Sequence, residues 1–428
     1  MTALGSELLE DRLAMDATGI AFGTAPFLSV SFAPDGTDIA GQPSQAFVEF
    51  DAIAPSDQWQ ATILRAFQDW AIHTNADFGV VDDGGQPFGT PGSTLRDERF
   101  GDVRIGAVAL QADIAAVAVS HDNPVAGTWV GDIVFNSDAN FQTLDDLYAV
   151  ALHEAGHVLG LTHSTDPLSP MFEHGLTAAS ELQPADIEAI QSLYGERAAD
   201  PNEIDGWNNS TDDATDVKFA GPSGTFDGST PSVIYGDIGS LTDADFYELN
   251  ILDGYTGSVT WRIRSENISL LQPKVTILDE NGDPLMSADS TRVGGDTLVV
   301  TVPQVAGNHE IFAVVEGNGT DAFGIGGYSL VAYFDGPLET PLNEIELASD
   351  GRFRLYETDD LRDLFAYGNL HPVLVGAALD ANDTPATATG LKTAPGFVRA
   401  TRFVQTSSIG TSADVDYFQF KSPSENDG

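Results

Sequence analysis

The chain contains no cysteine, so no disulfide can staple it and the redox compartment is not written in bridges. Basic residues are scarce as well: 18 Lys and Arg stand against 65 Asp and Glu, a formal net charge of −47 at pH 7. This charge argues against binding nucleic acid or an anionic membrane by a basic face. Repulsion among carboxylates is relieved by salt and divalent ions, which suits a secreted protein in saline or calcium-rich surroundings; a plain soluble acidic surface accounts for the charge equally well. No apolar run approaches the roughly 20 residues of a membrane helix, and the first residues show no basic stretch followed by an apolar core.

What is present begins with size. A length of 428 residues suggests two or three domains, and a hydrophobic content of 42% is enough for ordinary cores. Residues 153–163 read His-Glu-Ala-Gly-His-Val-Leu-Gly-Leu-Thr-His. His153 and His157 are four apart and project from one face of a helix. Gly160 can take a positive φ, stopping the helix and turning the chain so that His163 comes round as a third ligand. Three imidazoles leave one position of a tetrahedral zinc ion open, the arrangement of a catalytic site. Glu154, beside the first ligand, is placed to act as general base toward a zinc-activated water and then as acid toward the leaving amine of a peptide. Because the ligands must be neutral His, activity is expected to fall as pH drops through the imidazole range. A lone His-Glu-x-x-His also occurs on ordinary helices. Here Gly and a third His fall at fixed offsets in a chain with only eight His.

This segment resembles the metzincin metalloproteases, whose signature is His-Glu-x-x-His-x-x-Gly-x-x-His followed by a Met-turn. Within that clan it is most similar to the matrixins: Ser164 follows the third His, Met171 lies eight residues past His163, and Leu182 to Gly195 looks like the matrixin C-terminal helix with its Leu-Tyr-Gly ending. Upstream, Trp59 to Trp70 matches the first helix, Asp102 to Gly106 a central strand and Gly131 to Asn136 the segment before the active-site helix. The resemblance covers about residues 25–196. It implies an α+β domain, a twisted mixed sheet with an active-site helix and a C-terminal helix. It also implies that Met171 floors the metal and that Ala115, Ala116 and Val117, within the edge-strand candidate Ile114–Val119, pair with an extended substrate. Departures exist. Val134 stands where vertebrate matrixins place a His of a structural zinc, so no structural zinc is expected. Met171-Phe172-Glu173-His174-Gly175 replaces the usual Pro-x-Tyr wall of the S1′ pocket, and the thiol of a propeptide switch is missing. Glu173 also stands where serralysins and astacins carry a Tyr ligand, which argues against them.

Along the rest of the chain, residues 1–24 read as a tail. Within it, Glu7 to Leu13 is similar to a segment that normally follows a basic leader in some large bacterial secreted proteins, a resemblance that implies a missing leader; an amphipathic turn of helix is the alternative. Leu28–Phe32 alternates as a first strand. Ser56–His73 is predicted as a helix with Trp59, Ile63, Phe67 and Trp70 toward the core. Val103–Ile105 and Ile133–Phe135 are predicted as buried strands. Thr143-Leu144-Asp145-Asp146 resembles a capping box and should start the active-site helix, with Leu147, Val150, Ala151 and Leu152 inward.

Residues 197–232 are rich in Asp, Asn, Gly, Ser, Thr and Pro and read as a linker. From 233 to 334 short alternating runs (Ser258–Arg264, Lys274–Leu278, Thr297–Val302, Glu310–Glu316, Tyr328–Tyr333) and the Asp279–Asp283 hairpin signal predict an all-β sandwich. With Asp243-Ala244-Asp245-Phe246-Tyr247 and Gly326 to Leu330 it resembles the bacterial pre-peptidase C-terminal domain. Residues 335–379 are an unassigned connector. Asp380 to Thr384 and Asp414 to Phe420 repeat the opening of the sandwich, so 380–428 reads as the truncated start of a second copy, about fifty residues long, in a fragment of a longer product. Asp243 and Asp245 are calcium candidates; solvated carboxylates in an acidic turn are the simpler alternative.

The expectation that follows is a secreted, monomeric zinc endopeptidase acting on protein or peptide substrates, with no nucleic-acid partner and no transmembrane segment. The competing class is a cell-surface binding or adhesion protein whose sandwich repeats carry the function. The intact Glu154 weighs against it.

Overall fold

The computed structural model describes residues 27–119, 127–172, 181–198, 200, 202–203, 208–217, 233–251, 255–306 and 309–334, with four two-residue strands between 389 and 419. The tail 1–24, the Glu173–Gly175 departure, the connector 335–379 and the repeat signals at Asp380–Thr384 and Asp414–Asp416 lie outside the described residues. The chain divides into two compact units, Met1–Gly221 with Phe226–Asp335, and Pro222–Thr225 with Gly336–Gly428. In the second unit Thr389–Gly390 pairs parallel with Phe418–Gln419, and Lys392–Thr393 antiparallel with Phe403–Val404.

The first part of the larger unit runs β1 (Phe27–Phe32), a small hairpin of β2 (Asp38–Ile39) and β3 (Gln42–Pro43), α1 (Ala46–Phe50), α2 (Ser56–Ala71), β4 (Asp77–Val80), β5 (Val103–Val108), β6 (Ala116–Ala118), β7 (Ile133–Asn136), α3 (Leu144–Val158) and α4 (Pro184–Tyr194). Five strands form a mixed sheet in the order β4-β1-β5-β7-β6. The first four are parallel, and β6 closes one edge antiparallel to β7. All six residues of β5 are buried, as expected for a central strand covered on both faces. Trp59, Ile63, Phe67 and Trp70 recur at helical spacing along α2, and all four are fully buried in one core with Leu28, Val30, Phe78 and Ile105. The capping box forms as read: Asp146 N–H donates to Thr143 Oγ1 at 3.2 Å and Thr143 N–H to Asp146 Oδ2 at 2.9 Å. A cap of this type stabilises a helix start by about 1 kcal/mol.

The second part is a two-sheet β-sandwich. β8 (Thr215–Asp216), β10 (Ala244–Asn250), β12 (Pro273–Leu278), β13 (Pro284–Asp289) and β15 (Glu310–Gly317) make one sheet in the order β13-β12-β15-β10-β8. The other, in the order β14-β11-β16-β9, consists of β9 (Ile234–Ile238), β11 (Thr256–Arg264), β14 (Thr297–Ala306) and β16 (Gly326–Phe334). Inward residues alternate along β12, and Trp261, Val275, Ile277, Tyr247 and Tyr328 fill the space between the sheets. The hairpin turn at Asp279–Asp283 carries Gly282 at φ +81°, a left-handed position that glycine suits. One difference from the sequence reading concerns the segment 197–232. It supplies β8, which pairs parallel with β10, and Arg197, which bonds Asp237 on β9 at 2.6 and 2.7 Å.

Candidate functional site

Helix α3 carries His153, Glu154 and His157 on its last turns. After its C-cap, Leu161 N–H bonds back to Gly156 O at 2.9 Å, Gly160 sits at φ +92°, and the chain reverses to present His163. The turn is held from outside by the Tyr194 hydroxyl of α4, which donates to Leu159 O at 2.8 Å. The three rings then converge, with centroids 4.6, 4.8 and 5.3 Å apart, and one nitrogen from each lies within 4.8 Å of the others.

Hydrogen bonding at the far side of the rings decides what this convergence suits. His153 Nδ1 is 2.7 Å from Pro170 O and His157 Nδ1 is 2.8 Å from Leu161 O. A carbonyl only accepts, so each Nδ1 carries the proton and each Nε2 presents a lone pair. Those two Nε2 atoms are 3.0 Å apart. Two acceptors facing each other without a proton between them repel, and a cation between them removes the repulsion. Burial and the neighbouring imidazoles push His157 down to about 3, so its ring stays neutral and ready to ligate. Three converging imidazole nitrogens are a donor set that fits zinc.

Glu154 is buried at the same site, and desolvation pushes its carboxyl up to about 8. The opposing influence is a backbone N–H of Ala118, which donates to it and links the acid to strand β6. Of the edge residues anticipated, Ala116 and Val117 lie in β6 and Ala115 immediately precedes it, its carbonyl accepting from Asn136 N–H at 2.9 Å. The outer side of β6 is an edge of the sheet.

Met171 is fully buried under the helix. A Cβ on Gly156 would strike its sulfur and approach the Trp70 ring to 3.2 Å, so the glycine between the two ligands is what lets both side chains reach the helix backbone. The Met171 loop is tied at both ends: Ser164 N–H donates to Met171 O at 2.8 Å, Met171 N–H to Ser169 Oγ at 3.0 Å, and Ser169 Oγ to Asp186 Oδ1 at 2.6 Å. Sequence reasoning did not single out Ser169, Asp186 or the Pro170 and Leu161 carbonyls as parts of the site. Backbone acceptors and small hydroxyls leave no mark in residue spacing.

Asp243 and Asp245 come together with Glu203, their carboxylate oxygens within 4.8 Å of one another. The picture of a solvated acidic turn does not hold for Asp245, which is fully buried on β10. It accepts from Asn208 Nδ2 at 2.9 Å and from the Tyr328 hydroxyl. Burial foremost, then the Asp200 carboxylate, pushes Asp245 up to about 9, while burial and the Asp243 charge push Glu203 up to about 7. Glu203 was missed because it sits in the stretch read as linker, forty residues before Asp243.

The matrixin family model matches residues 45–195. The chain therefore carries a matrixin domain there. Matrix metalloproteinase-16 of Rattus norvegicus and of Homo sapiens is 40% identical over 75 residues, a match covering 15% of this chain and 12% of the relative. Probable matrix metalloproteinase 095L of Invertebrate iridescent virus 3 is 42% identical over 59 residues, covering 14% of this chain and 16% of the relative. The matched stretch is thus a small part of these relatives. Membership of the domain in this family suggests a metalloprotease. Among the described residues no helix is long and apolar enough to cross a membrane.

Proposed function

We propose that the chain is a secreted zinc-dependent endopeptidase, with His153, His157 and His163 as metal ligands and Glu154 as the acid–base residue. The observation that carries this reading is the pair of Nε2 atoms 3.0 Å apart, each ring bonded through Nδ1 to a backbone carbonyl, beside a third imidazole and a buried carboxyl. Zinc, when bound there, supplies Lewis acidity that polarises a peptide carbonyl and makes water acidic enough to react near pH 7. The chain's own residues do the remainder. An extended peptide pairs with the outer edge of β6 by backbone hydrogen bonds, and Ala115, Ala116 and Val117 offer small side chains beside it. A Glu154 carboxylate oxygen takes the proton of the attacking water and returns it to the leaving nitrogen. Its high proton affinity suits the second half of that exchange, and the Ala118 N–H keeps it aimed toward the same strand. Met171 fills the floor and holds the ligand helix in place.

A calcium ion is proposed at Glu203, Asp243 and Asp245. Supporting it are three convergent carboxylates and the buried Asn208 Oδ1, which has no hydrogen-bond partner.

The test of the protease reading is Glu154→Ala. The variant should keep zinc yet lose cleavage of casein and gelatin, and chelation of the parent chain should abolish cleavage until zinc is restored. Proteolysis retained by Glu154→Ala would overturn the assignment, and so would a zinc-loaded parent chain that cleaves nothing.

A further inference from the structure

The β-sandwich packs at the β4 end of the mixed sheet, the opposite edge from β6. A Cβ on Gly79 of β4 would lie 3.4 Å from Asn267 Cα, and one on Gly294 would lie 3.0 Å from Val80 Cγ2, so sandwich loops run directly beside this edge strand. Leu270 and Phe323 of the sandwich belong to the same buried core as Trp59, Phe67 and Trp70. The most specific contact is Gln68, in the middle of α2 and fully buried. Its Nε2 donates to Ile325 O at 2.8 Å and Ala322 O at 3.2 Å, both in the sandwich. Leu64 and Ala71, one turn to either side on the same face, are buried too. Helix α2 is therefore enclosed on two faces, one by its own domain and one by the sandwich. Two residues beyond Gln68, the Trp70 indole N–H donates to Leu152 O at 2.9 Å, the carbonyl immediately before His153. The same ring presses on Gly156, between the ligands.

We propose that the sandwich is a permanent positioning element for the metal site: the Ala322–Ile325 turn fixes α2 through Gln68, and α2 fixes the ligand-bearing turn of α3 through Trp70. This rests on the zinc reading above. It makes the sandwich part of the catalytic unit rather than a detachable accessory, because separating the two would expose Leu270, Phe323 and Leu64 together and release α2 from one of its two supports. Gln68 and Trp70 are positioning residues; neither faces the reacting atoms.

Two measurements test this. A site-specific protease sequence placed in 218–232 and cut in the otherwise native full chain should leave the two pieces co-eluting, with zinc bound. Pieces that separate while the catalytic piece keeps its zinc overturn the proposal. Second, Gln68→Leu keeps the volume and removes both hydrogen bonds. Its zinc affinity, measured by chelator competition on folded full-length protein, should fall on the order of tenfold, with a changed visible spectrum of the cobalt-substituted form; Gln68→Glu or Phe323→Ala should move both in the same direction. Variants that melt earlier but keep parental zinc affinity and cobalt spectrum would show a merely stabilising neighbour. Failure of the parent chain to bind zinc at all would instead remove the functional reading itself.

Discussion

The Glu154 carboxyl on α3 accepts a hydrogen bond from the backbone N–H of Ala118 on β6, so the proposed proton carrier and the proposed substrate-binding edge are one mechanical unit. That bond favours the charged form of Glu154 while burial opposes it. Replacing Ala118 by Pro removes the donor at a position on the outer side of the edge strand, where Pro is tolerated. Glu154 should then hold its proton more tightly. The acidic limb of the kcat/KM profile is expected to move upward by about one pH unit, the size of a hydrogen bond to a charged group. An unmoved limb in a folded, zinc-loaded variant would show that this bond does not tune the acid.

How much of this was legible in the sequence depends on the kind of signal. Regular spacing was readable: Trp59, Ile63, Phe67 and Trp70 gave the α2 core face, and Thr143 with Asp146 gave the start of α3. The three His and Gly160 predicted a convergent site because a helix and one left-handed glycine fix where the rings go. Short or contact-dependent features were not readable. Helix α1 has five residues and no side-chain N-cap bond, and β4 has four residues, so neither leaves a periodic trace. Gln68 looked like one more polar helix residue. Its meaning comes from Ala322 and Ile325, more than 250 positions away.

Asp186 serves two masters. Its Oδ1 accepts from Ser169 Oγ at 2.6 Å and its Oδ2 from Gln183 N–H at 2.9 Å, so one buried carboxyl both caps α4 and holds the Met171 loop. Asp186→Ala should cost about 3 kcal/mol in urea unfolding, combining a lost buried polar bond with a lost cap. Asp186→Asn, which keeps one acceptor oxygen, should fall between the two. A cost below about 0.5 kcal/mol, the usual size of a neutral surface change, would mean that the Met171 loop holds itself.

Between Arg104 and Arg197 there is no Lys or Arg, while 13 Asp and Glu occur in that interval. It contains β6, β7, α3 and α4, and the exposed Asp113 and Asp166 sit just before β6 and just after His163. Peptides carrying Lys or Arg beside the scissile bond should therefore be cleaved with higher kcat/KM than Glu-containing counterparts, on the order of tenfold at low salt. The gap should close toward 1 M salt, where the Debye length is about 3 Å. Equal rates for both series at low salt would remove charge from the specificity.

Asp245 provides a pH-dependent reporter in the sandwich. Its folded-state value of about 9 lies above the ordinary 3.8, mainly because burial penalises the charge. The folded state thus holds this proton more tightly than the unfolded chain. The resulting stability is complete below about pH 3.8 and is lost as pH rises toward about 9. Glu203, raised from 4.5 to about 7, acts in the same direction over a narrower window. With chelator present, the contribution of these groups to Tm should therefore decline from pH 5 to pH 8, and Asp245→Asn, which cannot ionise, should flatten that decline. Calcium needs the deprotonated carboxylates, so it should raise Tm more at pH 8 than at pH 5, where protons compete for the same oxygens. A calcium-induced shift that is absent at pH 8 would leave Glu203, Asp243 and Asp245 as a group of convergent carboxyls and not a cation site.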